Sequence, residues 1–233
     1  MVAPIIVALG GSLLYGDHDV KTWLGQLRQT LVHIEGNGRK IGLVVGGGKP
    51  ARDGINLAKD VVNDRFRLDE IGIAATRLNA TILQKMLQEI GCNVAPSIPE
   101  TTSEASTMFD SFNIVIMGGT KPGHTTDAVS VAFARDSGSA HVIIATNVSH
   151  VYTSDPHTDE SATAIEEMTL DELSEITGTE SLKPGQSAAV DPIAVQWAKD
   201  ALLRIGVLDG RDIRRLEDAL EGRPFEGTLV RPE

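Results

Sequence analysis

Three glycine-rich runs each follow directly on a short apolar segment: Gly10-Gly11-Ser12, Gly46-Gly47-Gly48-Lys49, and the stretch GGTKPGHTTDA at 118–128. Glycine at such a place lets a ligand approach the backbone and admits positive φ, and a helix starting there aims free N–H groups and its positive dipole end at an anion. Cations stand beside the glycines at Lys49, Arg52 and Lys121. Residues of these types in this pattern suit the holding of several phosphates at once and transfer between them.

Two known phosphate motifs fail against these runs. A P-loop needs a glycine five positions before the Gly48-Lys49 pair and a Ser or Thr after it, and the chain has Leu43 and Pro50 there. The relaxed dinucleotide fingerprint is met in spacing by Gly46, Gly48 and Ala51, with Asp69 further on. Its acidic residue should end a second strand, however, and Asp69 follows the charged, helix-like residues 63–67.

The elements that position the glycines read as an α/β domain. Apolar runs at Ile5 to Leu9, Ile41 to Val45, Asn113 to Met117 and His141 to Ala145 are too short for helices and end in glycine or polar turns, so they predict buried strands. Helical patterns cover Val20 to Glu35, Ala51 to Asn63, Asp69 to Gly91, Asp127 to Asp136, Leu170 to Thr177 and Pro192 to Arg204. Alternating strands and helices predict a three-layer αβα sandwich around a mainly parallel sheet. In a parallel sheet the three glycine runs fall at the carboxyl ends of strands, on one edge, and face one cleft. The stretch from Pro96 to Ser106 reads as a loop or short crossing helix, and Ser149 to Ser161 as a polar segment with a turn at Asp155-Pro156.

Composition narrows the function classes. With 32 acidic against 21 basic residues and a net charge of −11, no general basic surface awaits a nucleic acid. No apolar stretch approaches the roughly 18 residues of a membrane span, and the apolar start lacks the basic flank of a signal peptide. Cys92, the single cysteine, excludes an intrachain disulfide and reads as a buried apolar thiol. A cytoplasmic protein is expected, one domain over 1–233. His18, His33, His141 and His157 show no metal-ligand spacing and read as ordinary surface or core residues.

At larger scale, VVGGGKPARDGI at 44–55, LDEIGIAATRLNA at 68–80, IVIMGGTKPGHTTDAVSVAFA at 114–134, ATNVSHVYTSDP at 145–156, SAAVDPIAV at 187–195 and GTLVRP at 227–232 stand in that order. Together they resemble the archaeal type of UMP kinase within the amino-acid-kinase superfamily, across essentially the whole chain. The resemblance implies an acceptor-binding part over roughly 1–135 and an ATP-binding part over roughly 136–233. It implies ATP contacts from Gly10, Gly11, Ser12, Gly48, Arg52, Thr146, Asn147, Tyr152 and Asp155. It implies UMP contacts from Gly47, Asp69 and the loop Thr120, Lys121, Pro122, Gly123, His124, Thr125 and Thr126. Lys49, Lys121 and Asp127 are the catalytic candidates, ATP enters as its Mg²⁺ complex, and a homo-oligomer, a hexamer, is expected. Metal ligands are left unassigned. Two positions depart from the pattern: Ala8 stands where many members carry Lys or Asp, and Ser149-His150 replaces Asp-Gly.

Transfer to UMP requires no general base, because a phosphate monoester with a second pKa of about 6 is already mostly ionised at neutral pH. The demand is for fixed donors, cations and in-line positioning. Several residues keep a second reading. Asp69 suits a ribose or base contact or the N-cap of the following helix. Arg77 suits a solvated or an intersubunit ion pair, and Tyr152 stacks on adenine or packs beneath the polar loop. Lys121 is either the cation that compensates Ala8 or a solvated loop lysine. His124 is assigned positioning only.

Overall fold

A computed structural model of the chain describes residues 3–156, 158–178 and 189–233. His157 and the first two residues of the SAAVDPIAV run lie outside them. The strands are β1 (Ile5–Leu9), β2 (Ile41–Val45), β3 (Ile114–Met117), β4 (His141–Thr146), β5 (Val151–Tyr152), β6 (Ala164–Ile165), β7 (Glu167–Thr169), β8 (Arg204–Asp209) and β9 (Thr228–Arg231). The helices are α1 (Gly11–Leu14), α2 (Val20–Gly36), α3 (Gly48–Ala58), α4 (Arg65–Glu89), α5 (Thr102–Met108), α6 (Thr126–Asp136), α7 (Leu170–Thr177), α8 (Pro192–Asp200) and α9 (Ile213–Glu221).

Seven strands form one sheet in the order β3-β2-β1-β4-β8-β9-β7, and β5 pairs with β6 as a separate antiparallel ribbon. From β3 through β8 all pairing is parallel; β9 runs antiparallel to β8. The four apolar runs seen in the sequence are the four strands on one side of β8, and their burial on both faces follows from helices above and below. Alternation along β1 shows the two layers. Ile6 and Ala8 join a core with Phe133 of α6, Leu173 of α7 and Val195 of α8, while Val7 and Leu9 join one with Trp23 and Leu31 of α2, Leu83 of α4 and Leu216 of α9. The expected three-layer sandwich is therefore the observed one.

Several boundaries differ from expectation for identifiable reasons. The helix expected to run from Pro192 to Arg204 stops at Asp200, because Leu202 takes a left-handed φ of 52° and Arg204 already pairs with His141 as the first residue of β8. The helix expected from Asp69 begins four residues earlier, where the Asp64 side chain accepts from the N–H of Phe66. The helix expected from Ala51 starts at Gly48, inside the glycine run, and ends at Ala58. The segment at 96–106 is loop followed by α5, whose start is capped by Thr101 accepting from the N–H of Glu104 at 3.1 Å. Cys92 is half-buried rather than buried, and burial with the neighbouring Glu35 pushes its thiol up to about 11, so it is inert as a nucleophile at neutral pH.

Candidate active site

Every loop leaving the carboxyl ends of β1, β2, β3, β4 and β8 emerges on one edge of the sheet. The chain winds from β1 outward to β2 and β3, then returns to the other side of β1 at β4. Ligands of open parallel sheets sit at such a reversal. A cavity of about 190 Å³ lies at this point, walled by Ala8 and Gly10 of the first strand and turn and by Ile144, Ala145 and Thr146 of β4. Thr125, Thr126 and Asp127 from the start of α6, with Ala189 and Asp191 from the approach to α8, complete it.

The first two glycine runs are locked to each other. A Cβ on Gly11 would collide with the backbone of Gly48, and one on Gly48, whose φ is +57°, would collide with the carbonyl of Gly11. These glycines are required by backbone-on-backbone contact between the two turns, which sets the spacing of the helix starts that follow. Asn79 holds the second turn from below. Fully buried on α4, it donates through Nδ2 to the carbonyls of Gly46 at 2.8 Å and Gly47 at 3.1 Å, and its Oδ1 accepts from the Tyr15 hydroxyl at 2.7 Å. Thr76, one turn earlier, accepts from the N–H of Gly119 at 2.7 Å and so ties α4 to the third glycine run. The sequence presents both residues within the TRLNA run, but an Asn or Thr in mid-helix carries no sign of such a contact.

The third run folds into a loop held at its apex and its end. Gly123, with φ of +84°, donates its N–H to Asp69 Oδ2 at 2.9 Å. Thr125 caps α6, accepting from the N–H of Ala128 at 3.2 Å, and its hydroxyl donates to Asp191 Oδ2. Asp191 is itself the cap of α8, accepting from the N–H of Ile193 at 2.8 Å, and its own N–H donates to Asp127 Oδ2 at 3.2 Å. Two helix N-termini thus meet at the cavity, joined through two carboxylates. Burial pushes Asp127 up from 3.8 to about 6; the N–H of Asp191 opposes the rise and the Asp191 carboxylate adds to it. His124 stands edge-on to Trp197, ring centroids 5.1 Å apart, and burial, then Lys121, lowers its pKa, which keeps the ring neutral at physiological pH.

A model of the amino acid kinase family matches residues 3–209. The chain belongs to the amino acid kinase family. It is 36% identical to a uridylate kinase of Methanococcus vannielii, over 98% of this chain and 99% of that protein. It is 35% identical to a uridylate kinase of Haloarcula marismortui, with the same coverage of each. Among solved structures, uridylate kinase from Archaeoglobus fulgidus is similar with a TM-score of 0.85 at 30% identity, covering 97% of this chain and 99% of that one.

Within this amino acid kinase fold, the residues singled out in the sequence divide into three groups. Gly10, Thr125, Thr126, Asp127 and Thr146 line the cavity, while Gly11 and Gly48 are the interlocked glycines of the first two turns, with Ser12 and Gly47 next to them in the chain. Thr120, Lys121, Pro122, Gly123 and His124 form the loop between β3 and α6. Lys49 is exposed and pairs with Asp53 one turn along α3. Arg52 and Lys121 are exposed and pair with no described residue. Asp69 is no helix cap, since Asp64 takes that role, and it serves the Gly123 apex instead. Arg77 pairs within the chain, with Glu100 at 2.7 Å and the carbonyl of Pro99 at 3.1 Å. Asn147 is exposed after β4, and Tyr152 shares a hydrogen bond of 2.9 Å with Ser149 while standing edge-on to His150. The backbone carbonyl of Asp155 accepts from the N–H groups of Thr158 and Asp159, which makes the expected turn.

One feature of the edge carried no expectation. The turn after β8, Asp209-Gly210-Arg211-Asp212, adds a further glycine there, and Gly210 accepts from Trp23 Nε1 through its carbonyl at 2.7 Å. It was hidden because the apolar run of β8 adjoins the helical pattern of Pro192 to Asp200.

Proposed function

We propose that this chain transfers the γ-phosphoryl group of ATP to UMP, giving UDP and ADP. The observation that carries the reading is the cavity at the sheet reversal, where the N-termini of α6 and α8 converge beside two interlocked glycine turns, in a chain matched over almost its whole length by uridylate kinases. A phosphate oxygen of UMP forms the new bond to the γ-phosphorus as the bond from that phosphorus to the β-bridging oxygen breaks, and the electron pair leaves with ADP. No proton need be removed from the nucleophile at neutral pH. The chain's task is electrostatic: backbone N–H groups at helix starts and mobile cations meet charge that spreads over the transferred group.

In this reading Asp69 and the loop from Thr120 to Thr126, with Gly47, take UMP. Gly10 to Ser12, Gly48, Arg52, Thr146, Asn147, Tyr152 and Asp155 take ATP. Residues 1–135 and 136–233 are then the acceptor and donor parts of a single domain. The cavity wall offers carboxylates at Asp127 and Asp191 and hydroxyl-bearing Thr126 and Thr146, a hard oxygen donor set that suits Mg²⁺. An Asp127 carboxyl raised to about 6 is a group short of positive charge, which fits a bound cation. Mg²⁺ arriving with ATP would be held by these oxygens and would supply positive charge at the transferring phosphates. Lys121, unpaired and on a glycine-bearing loop, supports a role in closing over the reacting phosphates better than Lys49 does.

Self-association is part of the same reading. No residue of α3 is buried, although it packs on α4, and Leu57, Val61 and Phe66 are 85%, 82% and 68% exposed on and between these helices. A second copy of the chain, as in a homohexamer built from dimers, would cover them. No helix among the described residues is long and apolar enough to cross a membrane, and the reading places the enzyme in the cytoplasm.

A coupled assay for ADP release with UMP, CMP, AMP and isopentenyl phosphate as acceptors tests the proposal. UMP should give the highest kcat/KM. Saturable ATP binding with no transfer to any acceptor would instead mark a nucleotide-binding protein, the outcome that Ala8 in the cavity wall would explain.

A further inference from the structure

Away from the glycine turns, α2 and α9 lie side by side and end together. His33 stands in the last turn of α2, and Glu217 and Glu221 stand one turn apart on α9. His33 Nε2 is 2.8 Å from Glu221 Oε1, and one ligand atom from each of the three residues lies within 4.8 Å of the others. We propose that this cluster is a binding site for a divalent transition metal of the zinc class, with His33, Glu217 and Glu221 as its protein ligands and water completing the coordination.

The donor set is one imidazole nitrogen with two carboxylates, which suits Zn²⁺ and Co²⁺ and disfavours Mg²⁺. At metal–ligand distances of about 2.0–2.2 Å, tetrahedral donors stand about 3.3 Å apart, a contraction that carboxylate rotation can supply. Glu217 already has an outer partner, since the Thr30 hydroxyl donates to its Oε2 at 3.0 Å and orients the group. The scaffold is fixed. Leu27 and Leu31 of α2 and Leu216 and Leu220 of α9 are buried in one core, and Arg39 donates to the carbonyls of Leu220 at 2.6 Å and Glu221 at 3.2 Å.

The local field also asks for a cation. The carbonyl ends of both helices converge beside the two carboxylates, and each end carries negative partial charge. Two cations supply part of the answer: Arg39 on the terminal carbonyls of α9, and Arg223, which pairs with Glu221 Oε2 but also with Asp218 at 2.7 Å and keeps that partner if a metal takes Glu221. The Asn37 amide, 3.3 Å from His33 Nε2, yields by rotation. Access is open, because a surface groove of about 310 Å³, larger than the cavity at the sheet reversal, runs alongside; His33 and Glu217 line it together with the charged Asp212 and Arg214, which pair with each other. A metal here would clamp α2 to α9.

Untagged full-length protein titrated with Co²⁺, with Mg²⁺ in excess to fill oxygen-only sites, decides between a metal site and a plain His33–Glu221 ion pair. One equivalent of Co²⁺ should bind with the visible absorption of a four-coordinate site. Zn²⁺ at about a hundredfold over its Kd should raise Tm by about 5 °C. His33→Ala, at an exposed position that leaves the fold intact, should weaken Co²⁺ and Zn²⁺ binding at least tenfold, and Glu217→Gln should do the same with kinase activity unchanged. Absence of saturable Co²⁺ binding to the parent protein, or binding unchanged in His33→Ala, overturns the proposal.

Discussion

Replacing Asp127 with Asn removes a cavity carboxylate whose ionisation burial resists, while leaving its shape and its capacity to accept from the N–H of Asp191. A rise from 3.8 to about 6 is about two pKa units, which at roughly 1.4 kcal/mol per unit amounts to about 3 kcal/mol. The residue keeps some exposure through the cavity mouth, so water screens part of this and about 1–3 kcal/mol is the working range. The sign follows from proton binding. Below about pH 3 the carboxyl is protonated in both folded and unfolded chains and contributes nothing. Between about pH 4 and 6 the unfolded chain loses its proton first, so the folded chain binds more protons and stability falls as pH rises. Above about pH 6 the whole penalty stands. Asp127→Asn should therefore be more stable than the parent at pH 7.5 by about 1–3 kcal/mol, with the gain shrinking to about a third of that near pH 4.5. Urea denaturation of both proteins without nucleotide at the two pH values measures this. Turnover should move the other way, with kcat falling about a hundredfold or more if the carboxylate organises charge at the reacting phosphates. A variant less stable than the parent at pH 7.5, or a stability difference that ignores pH, would refute the desolvation account.

Asn79→Ala should cost about 2–4 kcal/mol in chemical denaturation, because it strands the carbonyls of Gly46 and Gly47 and the Tyr15 hydroxyl in the interior; a loss under about 0.5 kcal/mol would show that the glycine turn holds itself. Lys121→Ala should lower kcat roughly ten- to a thousandfold with little change in either KM, while Lys49→Ala, already paired with Asp53 in solvent, should stay within about threefold. Steady-state kinetics on the pair would reject the assignment if the two effects were reversed. Phe66→Asp should reduce the mass measured by light scattering at equal protein concentration, and an unchanged mass would move the interface elsewhere.

How much of this was legible in the sequence follows from what each element must do alone. The interiors of β1 to β4 are buried on both faces, so apolar residues and glycine fill them and each run stands out. β9 carries Thr228, whose hydroxyl accepts from the N–H of Val151 and donates to Ile165, and Arg231, which reaches Glu167; its polar residues serve partners distant in sequence and break the pattern. β8 is apolar enough, but only the φ of 52° at Leu202 separates it from the preceding helix, and nothing in an Ala-Leu-Leu-Arg sequence announces a left-handed residue. The helix α9 alternates Arg, Glu and Asp around Ile213, Leu216 and Leu220, three apolar positions that need α2 beside them before they mean burial.

The glycines teach a similar point about the site. Read alone, each Gly-Gly pair suggests space for a phosphate, yet Gly11 and Gly48 exclude a side chain because each would strike the other's backbone. The requirement is mutual, and a sequence shows the two runs only one at a time. The consequence for function is a division of labour. The interlocked turns and Asn79 fix where the helix starts point, whereas the charge-bearing parts are Lys121 on the β3–α6 loop, Asp127 in the first turn of α6 and Asp191 at the α8 cap. Rigid donors with adjustable charges are what transfer between two anions needs, since the donors must be in place beforehand and the cations must gather as charge builds. Ala8 puts only a methyl group in the cavity wall, so the positive charge must come from elsewhere, and the Lys121 substitution measures how much of it the loop supplies.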